Sequence, residues 1–93
     1  MGMRLLSQLE KILLKLLSHP IPNDITFQEM AKFLKNIGCK MRKRRGTSHR
    51  IFSYPGYLRV ITLMENEDVR EYQVNQVKAL LKYIGIIKDS EEE

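Results

Sequence analysis

The spacing of apolar residues changes twice along this chain of 93 residues, and that change limits the folds open to it. In residues 4–17, "RLLSQLEKILLKLL", Leu5, Leu9, Ile12 and Leu16 recur at helical spacing, and Leu6, Leu13 and Leu17 widen the stripe. Pro20 and Pro22 stop that helix. "TFQEMAKFLKNIG" predicts a second helix, with Phe27, Met30, Leu34 and Ile37 on one stripe. Thr26 and Glu29 have capping-box spacing at its start, and Gly38 suits a left-handed ending. The period then shortens to two. Residues 39–44, 48–54 and 57–64 read as strands, with a Pro55-Gly56 turn between the last two. Beyond the polar "ENED", "EYQVNQVKALLKYIG" restores helical spacing through Val74, Val77, Leu81 and Ile84, and Gly85 ends it.

The order is thus helix, helix, three strands, helix. Short links between the strands imply antiparallel neighbours. Each helix has one apolar stripe to bury, which predicts an α+β domain with a three-stranded antiparallel sheet and helices on one face. The first helix buries its broad stripe against this core or against a second copy of the chain. "FLKNIG" and "LLKYIG" are one way of ending a helix, used twice.

Charge is unevenly placed. Lys and Arg number 16 against 11 Asp and Glu, yet Asp89, Glu91, Glu92 and Glu93 gather in the last residues. Without those 4 acids the remainder carries 16 positive and 7 negative charges. Such a body attracts polyanions, of which nucleic acid is the commonest. The charge peaks in "KMRKRRGTSHR", which contains no acid. On the first strand Cys39 and Met41 share one face, while Lys40, Arg42 and Arg44 share the other. If the apolar pair packs under the helices, the cations line the open face and bind phosphate without sequence choice. The candidate phosphate contacts are Lys40, Arg42, Lys43, Arg44, Arg45 and Arg50. On the second strand His49, Ile51 and Ser53 alternate with Arg50, Phe52 and Tyr54. Both sets contain apolar residues, so parity leaves the face of His49 open.

Histidine titrates near neutrality and can give or take a proton. RNA cleavage by transphosphorylation needs a base for the 2′-hydroxyl, an acid for the departing 5′-oxygen, and positive charge on the transition state. His49 among arginines can supply the first or second and the third. Ser48 and Tyr54 are candidates for a second proton carrier. This chemistry calls for no metal and no cofactor. His19, beside Pro20 at a helix end, reads as structural. The single cysteine, Cys39, has no partner for a disulfide or a metal site and fits a cytoplasmic location. Glu10, Lys11 and Lys15 interrupt the first apolar run, which predicts neither a signal peptide nor a membrane partner. Leu6 occupies the place where a myristoylation signal needs Ser or Thr.

Taken in order, "FLKNIGCKMRKRRGTSHRIFSYPGYLRVITL" and "YQVNQVKALLKYIGI" resemble the HicA toxins of toxin–antitoxin pairs over about residues 25–87. The resemblance lies in a glycine-containing turn, Gly46, leading to a histidine at the start of the second strand, His49. An aromatic residue, Phe52, and a proline, Pro55, follow. It implies a double-stranded-RNA-binding-domain-like fold and a ribosome-independent endoribonuclease acting on messenger RNA in stress response. His49 would be the catalytic residue, and a HicB-type antitoxin would cover the site. Here Thr47 and Ser48 separate glycine from histidine, one residue more than in many members, and Arg50 stands where some carry a second histidine. The expected organisation is an N-terminal helical extension over 1–24, the RNA-cleaving domain over 25–88, and a disordered acidic tail over 89–93. The alternative is a non-catalytic RNA- or DNA-binding module, or a protein-interaction domain that docks through the leucine-rich helix.

Overall fold

The computed structural model describes residues 3–87; the acidic run at 89–93 lies outside the described residues. Three helices and three strands follow one another as α1 (Met3–Leu17), α2 (Phe27–Asn36), β1 (Lys40–Lys43), β2 (His49–Ser53), β3 (Ile61–Met64) and α3 (Glu71–Ile84). The fold is α+β, and its antiparallel sheet has the order β1-β2-β3.

The elements begin and end for local reasons. At the start of α2 the Glu29 amide donates to Thr26 Oγ1 at 3.2 Å, and the Thr26 amide donates to Glu29 Oε1 at 3.0 Å. This reciprocal pair satisfies two donors that the first helical turn leaves free. At the other end Gly38 has φ +114°, a left-handed conformation that turns the chain directly into β1. α3 ends in the same way at Gly85, with φ +96°.

Register decides what the sheet does. β1 pairs with β2 as Met41↔Phe52 and Arg42↔Ile51, and β2 pairs with β3 as Arg50↔Leu63 and Ile51↔Thr62. Directly paired residues share a face. One face therefore carries Phe52, Ile61 and Leu63, each no more than 2% exposed. The helices cover this face through Ile12 and Leu16 of α1, Met30, Phe33 and Leu34 of α2, and Val74, Val77 and Leu81 of α3. Phe27 of α2 tilts against Phe52, with ring centroids 6.5 Å apart. The first helix packs Ile12 and Leu16 into the core of the domain: Leu16 is fully buried, and Lys15 reaches Glu29 on α2 at 3.3 Å. Residues that the sequence pattern sets apart as an N-terminal extension share one core with the sheet.

The opposite face carries Lys40, Arg42, His49, Ile51, Thr62 and Met64, all exposed or half-buried.

The third strand is shorter than its sequence suggests. Alternation predicts residues 57–64, but pairing starts at Ile61, opposite Phe52. Contacts with α3 account for the lost half. The Tyr57 amide closes a turn onto the Tyr54 carbonyl at 3.0 Å, and the Tyr57 ring packs on Tyr83 with centroids 4.9 Å apart. The Tyr83 hydroxyl donates to the Gly56 carbonyl at 3.1 Å. These bonds draw residues 54–57 over the end of α3 and away from the edge of β2, leaving Leu58 98% exposed. Among the described residues, no helix is long and apolar enough to cross a membrane.

Candidate functional site

His49 opens β2, and the turn before it determines where its ring goes. Gly46 adopts φ +76°, which an L side chain rarely tolerates. The Thr47 amide and hydroxyl both donate to the Arg44 carbonyl, at 3.2 and 3.1 Å. Thr47 Oγ1 in turn accepts from the His49 amide at 3.2 Å. On the other side, the Glu65 amide donates to the Ser48 carbonyl at 2.9 Å, tying the turn to the end of β3. Thr47 and Ser48, between Gly46 and His49, are both held in this bonded turn.

Parity then sends His49 and Arg50 to opposite faces. His49, paired with Met64, lies on the open face with Lys40 and Arg42. Its ring lines a cleft of about 160 Å³ between the sheet and α3, bordered by Val60, Thr62, Met64, Tyr72 and Gln76. His49 Nδ1 is buried and makes no hydrogen bond. Buried polar atoms are seldom left so, and this ring nitrogen keeps an unused hydrogen-bonding position.

Arg50 behaves differently from the other predicted phosphate contacts. Its side chain lies on the core face and is 9% exposed. It donates to the Thr47 carbonyl at 3.2 Å and the His49 carbonyl at 3.0 Å, and it forms an ion pair with Glu65. All these partners belong to the turn and to the end of β3, so Arg50 clamps the loop that carries His49 and is withdrawn from the cationic surface. Arg50 counts among the expected phosphate contacts as part of the basic run; strand alternation sets it opposite His49, and the face it shares with Phe52 is the one that packs inward.

Lys40 and Arg42 project from the open face and border a neighbouring cleft with Ile51, Ser53 and Val60. Val60 borders both clefts. Lys43 is exposed at the end of β1, and Arg44 and Arg45 are exposed in the turn that follows. Among the described residues none of these five cations forms an ion pair.

The candidates for a second proton carrier separate. Ser48 adjoins His49 and is half-buried. Tyr54 lies five residues further along an extended chain, on the order of 16 Å away. It packs near Gly38, where an added Cβ would come within 3.2 Å of its ring, and meets Tyr83 edge-on at 6.3 Å. Tyr54 therefore belongs to the far end of the sheet. Two residues in the cleft escaped sequence reading: Tyr72 and Gln76, one helical turn apart on α3. Their spacing was visible as a polar face of an amphipathic helix, but nothing in it pointed across to β2.

Between them stands Gln73, 4% exposed. Its Nε2 donates to the Thr62 carbonyl at 3.0 Å, and its Oε1 accepts from the Arg70 amide at 2.8 Å. One side chain thus caps α3 and fastens it to β3 beside the cleft. Among the described residues no group of three or more His, Cys, Asp or Glu is arranged to hold a metal ion. No known family model, curated protein or solved structure matches the chain.

Proposed function

We propose that this protein is an RNA endonuclease with His49 as its proton carrier, acting in the cytoplasm as the toxin of a HicA-type toxin–antitoxin pair. The observation that carries this reading is the shared face: an imidazole with an unpartnered Nδ1 stands on the same side of the sheet as Lys40 and Arg42. An RNA strand lying on that face meets positive charge and a proton carrier together. Lys40 and Arg42 hold phosphates on the sheet, while Lys43, Arg44 and Arg45 extend the positive field to the rim.

The reaction is transphosphorylation. His49 takes the proton of a 2′-hydroxyl as that oxygen attacks the adjacent phosphorus. The bond from phosphorus to the 5′-oxygen breaks, and the His49 imidazolium gives the proton it took, directly or through water, to the leaving oxygen. The products are a 2′,3′-cyclic phosphate and a 5′-hydroxyl, with no atom unaccounted for. The cations stabilise the charge gathering on the phosphoryl oxygens. The order of helix, strands and helix from α2 to α3 supports a double-stranded-RNA-binding-domain-like fold, and a HicB-type antitoxin is the partner this reading calls for.

Purified protein incubated with single-stranded RNA tests the assignment. Wild type cuts and leaves cyclic phosphate ends. His49→Ala binds as well as wild type and cuts at least about 100-fold more slowly, the usual worth of a positioned acid or base. Equal cutting by both proteins sinks the role given to His49. Undiminished binding with no cutting by either identifies a non-catalytic RNA-binding module.

A further inference from the structure

We infer that the cleft between β2–β3 and α3 receives one unpaired nucleobase, with Tyr72 as the stacking surface and Gln76 reading the base edge. This rests on the RNA reading above and adds a substrate class to it: a strand with at least one base free of pairing.

The linings of the two clefts differ in chemistry. Lys40 and Arg42 border the cleft nearer β1. The cleft at His49 has no lysine or arginine in its wall; it is made of apolar Val60 and Met64, an aromatic ring and polar uncharged groups. A phosphate would find no cation there beyond the imidazole, whereas a flat heteroaromatic ring finds apolar contact and hydrogen-bonding groups. With Val60 shared between the clefts, a nucleotide spanning them places its phosphate on Lys40 and Arg42 and its base against α3.

Tyr72 is unlike the other tyrosines. Tyr54, Tyr57 and Tyr83 pack on one another at the far end of the sheet. Tyr72 is 59% exposed and has no ring partner among the described residues. Solvent-facing aromatics beside a basic strip are how proteins grip single-stranded nucleic acid, since every base has a face to stack. Gln76 is exposed, and its side chain has no hydrogen-bond partner among the described residues. Its carboxamide offers both donor and acceptor, which suits a base edge. Gln73, tied at both ends of its amide, keeps this wall in place before any ligand arrives. His49, whose Nδ1 has no hydrogen-bond partner, is one of the residues lining the same space. A nucleotide seated there brings its ribose to the imidazole, so base recognition and cleavage share one cleft.

The test uses the full chain and a short 2′-O-methyl RNA, which cannot be cut, carrying one 2-aminopurine. Affinity is read by anisotropy and stacking by 2-aminopurine fluorescence. Heparin serves as a polyanion without bases. Tyr72→Ala weakens RNA binding by about 5- to 150-fold, the worth of one stacked base, and leaves heparin binding unchanged. Tyr72→Phe keeps the affinity, and Gln76→Ala alters the preference among homopolymers. Lys40→Ala with Arg42→Ala weakens binding to both polyanions. Thermal melts confirm that the exposed-site variants remain folded. Indifference of RNA binding to Tyr72→Ala, or an equal loss with heparin, overturns the base pocket. If wild type cuts ordinary RNA but Tyr72→Ala binds normally, the pocket falls and the nuclease stands. If binding depends on Tyr72 but nothing is cut, the pocket stands and the nuclease falls. Failure to bind RNA overturns both.

Discussion

Replacing Glu65 with Gln asks whether Arg50 is a clamp or a phosphate contact. The Arg50 side chain is 9% exposed and its Glu65 partner 50%. A fully buried pair broken on one side costs about 3–5 kcal/mol, because a charge is stranded away from water. A fully exposed pair is worth about 0–1 kcal/mol. Arg50 lies near the first limit and Glu65 midway, so solvent screening discounts the larger figure. Gln also retains an oxygen to accept one hydrogen bond, and the carbonyls of Thr47 and His49 remain. The expected loss is about 1–2 kcal/mol. For a domain of this size that lowers the melting temperature by about 5–15 °C.

The assay pairs thermal unfolding with RNA affinity. Glu65→Gln lowers the melting temperature by that amount. Arg50→Met leaves RNA affinity at the wild-type level, while Arg42→Ala reduces it and flattens its salt dependence. Cutting falls in Glu65→Gln, since the loosened turn holds His49 less firmly. An unchanged melting temperature for Glu65→Gln, together with an Arg50→Met affinity as poor as that of Arg42→Ala, would refute the clamp and return Arg50 to the phosphate surface.

Two further outcomes test the packing. Leu16→Ala in α1 costs about 2–5 kcal/mol in chemical denaturation, because Leu16 is fully buried. Leu14→Ala, in the same helix but 67% exposed, stays within about 0.5 kcal/mol; equal small losses would make α1 a detachable arm. Burial pushes the Cys39 thiol above its ordinary range. At a given pH the folded chain therefore holds less thiolate, so iodoacetamide reacts more slowly with native than with unfolded protein. The native rate goes on rising at pH values where the unfolded rate has levelled off. The same shift stabilises the fold below the ordinary thiol pKa, and that contribution is lost as pH rises through the folded value. Equal rates in the two states would place Cys39 at the surface.

The elements were legible in the sequence where local physics suffices. Thr26 with Glu29 and the glycines at 38 and 85 mark helix ends by backbone chemistry that operates within a few residues. Lys40 and Arg42 could be assigned to the open face because Cys39 and Met41 beside them are apolar. The second strand offered no such guide. Ile51 and Phe52 are both apolar, and neither face of "HRIFSY" is plainly the buried one.

What tertiary structure alone decided is which face of β2 each set of residues takes, with His49 on the open side and Arg50 in the core. Phe52 packs against Phe27 and the core, and that contact sends every second residue of β2 inward, Arg50 among them. Glu65, fifteen residues away, then gives the buried guanidinium its counter-charge. The same packing sets α3 beside β3 through Gln73 and brings Tyr72 and Gln76 to the histidine. Helical and strand periodicity arise from neighbours along the chain, so one dimension of information reveals them. The face a strand presents, and the residues that meet across it, depend on contacts between distant segments, which only the folded chain creates.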